Sequence, residues 1–139
     1  SDPPMAAGNW VPDAVAAAGG TYPFVEAGAR SREVDPSAVA AADPDHVVVH
    51  VCGHGERVDP ATVADRDWVD APVHVIDDSL LNQPSPVLVV GIERLAGLFG
   101  VVDPDSVPAG PPTAADPRAP IDAPSPDSCT TALDSTGPL

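Results

Sequence analysis

The chain contains no lysine. Its six basic side chains are all arginine, set against 21 acids in 139 residues, and the formal charge is −15. A field this negative repels phosphate backbones and anionic membrane surfaces, so no nucleic-acid partner and no polybasic lipid contact is expected. Aromatic residues are scarce, with two Trp, two Phe and one Tyr, and Met5 is the single methionine. Every apolar run falls far short of the roughly 18–20 residues that span a bilayer, so no membrane-crossing segment is expected. No basic stretch followed by an apolar one precedes the first predicted element, so no signal peptide is read. Cys52 and Cys129 are the only cysteines, too few for a disulfide framework. There is no Gly-x-Ser-x-Gly elbow and no phosphate-cradling glycine loop, which argues against an enzyme.

What is present is an excess of short carboxylates, 17 of the 21 acids being Asp. At molar salt the Debye length shrinks to about 3 Å and the self-repulsion of such a surface is screened. The composition therefore suits a halophile protein. It describes an environment and leaves function open.

Composition divides the chain. Residues 103–139 hold nine prolines in 37 positions, with apolar residues scattered singly, which predicts a Pro-rich disordered tail. Residues 1–102 are long enough for one modest core and are read as the single folded lobe.

Within that lobe Asn9 reads as an N-cap, with Pro12 and Asp13 in the first turn of a helix that stops at Gly19-Gly20. A second helix is predicted over Pro36–Ala42 and a third over Pro60–Asp67. The β-branched run His46–Cys52 and the shorter Val73–Ile76 have the profile of buried parallel strands. Asp77–Ser85 reads as loop. The strongest helix follows over Pro86–Phe99, where apolar residues recur at helical spacing and Gly100 closes it. Helices alternating with strands predict an α/β fold with a parallel sheet. Two strands are few for such a sheet, so a further strand just upstream is expected.

His50, Cys52 and His54 stand at i, i+2 and i+4, and on an ideal strand would share one face. Thiolate and imidazole are the usual ligands of zinc and softer metals. Gly53 breaks the strand before His54, however, and His46 and His74 are only candidates for a fourth ligand, so no metal is assigned. Cys52 with a neighbouring His offers a nucleophilic dyad as a further alternative, a small Cys/His-dependent enzyme. The loop 53–57 and the loop 77–85 leave the carboxyl ends of the strands, where α/β sheets bind ligands. Trp10 lies on a turn that would join them, either as a stacking platform or as an anchor for its helix.

Three stretches carry a resemblance: Asp2–Asp13 with Ala18-Gly-Gly, Ala42–Gly53, and Asn82–Glu93. In order and spacing they resemble the carboxyl-terminal lobe of substrate-binding proteins serving cobalamin and iron-siderophore ABC importers, with the cobalamin branch nearest. The resemblance implies a three-layer αβα lobe with a mostly parallel sheet, half of a two-lobed protein whose amino-terminal lobe is missing here. It implies a non-catalytic, extracytoplasmic protein anchored to the outer face of the membrane through that missing part. No cofactor is implied; cobalamin is the transported ligand, with heme or a ferric siderophore as the alternative. The ligand-binding residues carried over are Asn9, Trp10, Gly53, His54, Leu80, Leu81 and Asn82. His54 stands where relatives often have an aromatic residue. Ser37 stands where relatives place a glutamate that docks on the ABC permease, and Glu33 and Asp35 are its expected substitutes.

Overall fold

A computed structural model describes residues 2–103 and 105. The predicted tail lies almost wholly outside the described residues. The elements are β1 (Met5–Ala6), α1 (Val11–Ala17), β2 (Arg32–Glu33), α2 (Pro36–Ala42), β3 (Val47–Val49), α3 (Ala61–Ala64), β4 (Val73–Val75), a 3-10 turn (Asp78–Leu80) and α4 (Leu88–Leu98). Among the described residues no helix is long and apolar enough to cross a membrane.

The expected parallel pair is present: β3 and β4 run parallel, with Val47 beside Val73 and Val49 beside Val75. The other pair was not foreseen. β1 and β2 are antiparallel, Met5 facing Glu33 and Ala6 facing Arg32. β1 ends just before the turn at Gly8–Trp10 and pairs with β2 alone, not with β3 or β4. Two-residue strands leave no periodicity for a sequence reading to find.

β3 is fully buried because helices cover both of its faces. Val48 packs with Val11, Val15, Ile76, Leu80, Leu81 and Leu95, the core formed by α1 and α4. Val47 and Val49 point the other way, toward Phe24, Val34, Val39 and Val63 under α2 and α3. The alternation is the period-2 geometry of a strand applied to an all-valine segment. Each fully buried valine contributes about 1.5–3 kcal/mol relative to an exposed one.

Two helix ends show why the chain stops where it does. Gly19 has φ +91° and Gly100 has φ +72°. In α1 the Gly20 N–H reaches back to the Val15 carbonyl, and in α4 the Val101 N–H reaches the Ala96 carbonyl, both at 2.9 Å. These are paired-carbonyl caps that need a left-handed residue, which glycine adopts without a Cβ penalty. At the other end of α1 the expectation fails. Asn9 is not the cap: it sits at φ +56°, and Trp10 occupies the N-cap with no side-chain bond to the helix. Asn tolerates the left-handed turn better than most residues, so the turn, not the helix, explains it. α4 likewise starts at Leu88, two residues later than the periodicity predicts.

Candidate functional site

Three loops meet beyond the carboxyl ends of β3 and β4, and specific bonds tie them. The Trp10 indole Nε1 donates to the Leu81 carbonyl at 2.8 Å. The Asp78 carboxylate accepts the backbone N–H of Gly53 at 3.0 Å through one oxygen and that of Gly55 at 2.9 Å through the other. Charge-assisted bonds of this kind are stronger than neutral ones. Asp77 does a different task, capping the 3-10 turn by accepting from the Ser79 backbone N–H and hydroxyl at 2.9 and 2.6 Å. The Asp77-Asp78 pair is thus a strand-end turn and a loop clamp.

Inside the clamp His50 is wholly buried on the α1/α4 side of β3. Its Nδ1 bonds the Asn82 side-chain oxygen. That oxygen can only accept, so Nδ1 carries the hydrogen and the ring is the neutral Nδ1–H tautomer. Burial drives the His50 pKa down to about 4, against the opposing influences of the Asn82 bond and the Asp78 charge. Among the described residues its buried Nε2 has no hydrogen-bond partner, and His50 lines a small void together with Val11, Val15, Tyr22, Val48, Leu81 and Leu95. The Asn82 amide nitrogen in turn lies 3.5 Å from the Cys52 sulfur.

The predicted residues separate into three groups. Asn9, Trp10, Gly53, His54 and Asn82 lie on the three loops and are exposed or half-buried. Leu80 and Leu81 are on the same loop but only 0% and 1% exposed. Their side chains belong to the core, and of the two Leu81 reaches the site through its carbonyl. The expected common face of His50, Cys52 and His54 does not form. β3 ends at Val49, Val51 bridges back to Gly55, and His54 turns outward with its Nδ1 3.2 Å from the Cys52 carbonyl. Arg57 holds that tight loop by donating to the carbonyls of His54 and Gly53 at 2.9 and 2.7 Å. Among the described residues no group of three or more His, Cys, Asp or Glu is arranged to hold a metal ion.

Glu33, Asp35 and Ser37 lie on β2 and the start of α2, and all three are exposed. Asp35 is the N-cap of α2, accepting from the Ser37 N–H and hydroxyl at 2.8 and 2.6 Å. Those bonds hold its carboxyl below the usual carboxylate range. Glu33 is the carboxylate of the three with no role in a helix cap.

Sequence reasoning missed His50 and Asp78 as organisers of the site. A histidine inside a valine run was the available signal, since a buried imidazole needs a partner. The partner lies 32 residues away, and spacing alone does not name it. No family model matches the chain, and no curated protein or solved structure is significantly similar to it.

Proposed function

We propose that this chain is a non-catalytic solute-binding lobe of an ABC importer, supplying one wall of a cleft that takes a corrinoid such as cobalamin. In this reading the lobe is a three-layer αβα unit, a second lobe forms the opposite wall, and the protein works outside the cytoplasmic membrane. The observation that carries the reading is the tying of three strand-end loops by the Trp10–Leu81 bond, the Asp78 clamp and the His50–Asn82 bond. A wall held in this way is pre-organised, so little ordering entropy is lost when a large rigid ligand docks. Trp10 and His54 offer ring surface, Asn9 and Asn82 offer amide groups, and Glu33 is the carboxylate that meets a basic permease surface.

The test is titration of cyanocobalamin into the lobe joined to its partner lobe, followed by absorbance and calorimetry. Saturable binding at micromolar ligand is expected. An unchanged signal there would sink the proposal.

One observation favours a second ligand. With His54 Nδ1 turned to the Cys52 carbonyl, its Nε2 is left to act as an axial ligand, which suits heme or another iron chelate. Substituting His54→Ala separates the two: loss of heme binding with cobalamin binding intact selects the iron chelate.

A further inference from the structure

A cleft of about 340 Å³ lies away from the strand-end loops. It runs along β4 beside α4 and is lined by Val73, His74, Val75, Ile76, Arg94, Gly97 and Leu98. Beside it His46, just before β3, meets His74 on β4. Since Val48 lies opposite His74, His46 is its diagonal neighbour on the same face, the side covered by α4. The His46 Nδ1 and His74 Nε2 are 3.2 Å apart, and the ring centroids are 5.3 Å apart. Phe99 stands against His46 with 5.8 Å between ring centroids. Both histidines are half-buried.

We propose that His46 and His74 form a two-histidine site for a borderline divalent cation such as Zn²⁺ or Ni²⁺. Imidazole nitrogens bound at about 2.0–2.1 Å to one tetrahedral ion lie about 3.3 Å apart, with ring centres about 5.2 Å apart. The observed separations already match that span, so the ion needs no movement of either strand. In the metal-free pair one ring donates to the other. Binding requires both lone pairs, so the donating ring changes tautomer and carries its hydrogen on the far nitrogen. Each ring then presents one nitrogen lone pair to the ion. The remaining coordination positions open toward the adjacent cleft, where water or a small anionic ligand completes the shell.

Electrostatics act in both directions. Arg94 lines the cleft, but Glu56 pairs with it at 3.4 Å, and the net charge of −15 raises the local cation concentration. Two protein ligands make a modest site, selective for metals that favour imidazole over Mg²⁺ or Ca²⁺. The site does not depend on the cobalamin reading, since it shares no residue with the strand-end loops.

The test uses the 139-residue chain at neutral pH, with histidine ring signals followed by NMR and affinity by calorimetry. Zn²⁺ at micromolar concentration should shift the His46 and His74 rings together, saturably and one to one. Mg²⁺ at millimolar concentration should leave both unmoved. His46→Gln or His74→Gln should weaken Zn²⁺ binding by about tenfold or more, and His54→Gln should not change it. The proposal is overturned if Zn²⁺ to 1 mM leaves the two rings unmoved, if Mg²⁺ gives the same shifts, or if both glutamine variants keep wild-type affinity. The ring shifts of the unsubstituted protein decide the matter even where a variant does not fold.

Discussion

The Trp10 indole donates its N–H to the carbonyl of Leu81 across 71 positions of sequence. One bond thereby joins the turn before α1 to the loop before α4. Trp10→Phe keeps most of the apolar contact and deletes the donor, leaving the Leu81 carbonyl to find water. We expect a loss of about 1 kcal/mol, read as a lower urea midpoint with an unchanged m-value. Cobalamin affinity should fall as well if the loops form the ligand wall.

His50 makes stability depend on pH. Its folded pKa of about 4 lies below the 6.5 of an ordinary histidine, so the unfolded chain binds the proton more readily. The contribution is fully present above pH 6.5 and is lost as pH falls from there to about 4. That gap is worth about 3 kcal/mol. Urea midpoints of the wild type and His50→Gln, compared at pH 7 and pH 4.5, isolate it from the carboxylates. The wild type should lose more stability on acidification than the variant; equal losses would refute the assignment.

Asp78 holds two amides with its two oxygens. Asp78→Asn retains one acceptor and Asp78→Ala retains none. Amide hydrogen exchange at Gly53 and Gly55 should accelerate at one site in the first variant and at both in the second. The cost should reach about 1–3 kcal/mol for alanine. Full protection of both glycines in Asp78→Ala would show that the loop is held by other means.

Gly91 lets α4 pass against the 3-10 turn. A Cβ there would run into the Leu80 carbonyl, with the Leu81 side chain 3.0 Å away. Gly91→Ala favours the helix intrinsically, by about 1 kcal/mol, yet should destabilise the protein by about 1–3 kcal/mol through overpacking. A raised melting temperature for this variant would count against the contact.

Much of the fold was legible because its signals are local. Pro36 marks the start of α2, and the valine run and Val73–Ile76 mark the two parallel strands. Gly19 and Gly100 mark helix ends through the conformation they alone adopt cheaply. What escaped was set by distance. The β1–β2 pair rests on register between residues about 27 apart, and Asn9 has a residue type shared by caps and left-handed turns. At the site, the loops were placed by the strand-end rule, but Leu80 and Leu81 were credited with facing a ligand when packing turns them inward. His50 and Asn82 meet only after the chain folds.

Val47, Val48 and Val49 serve two cores in turn, and this has a consequence for how the fold comes apart. A three-residue party wall leaves no plane along which one helical layer can peel away while the other stays intact. Exposing Val39 and α2 strips the backing from Val47 and Val49, and the same strand then no longer supports Val48 against Leu95. Melting should therefore be a single event seen alike from both sides, with the acidic surface as bystander and the valine strand as hinge pin.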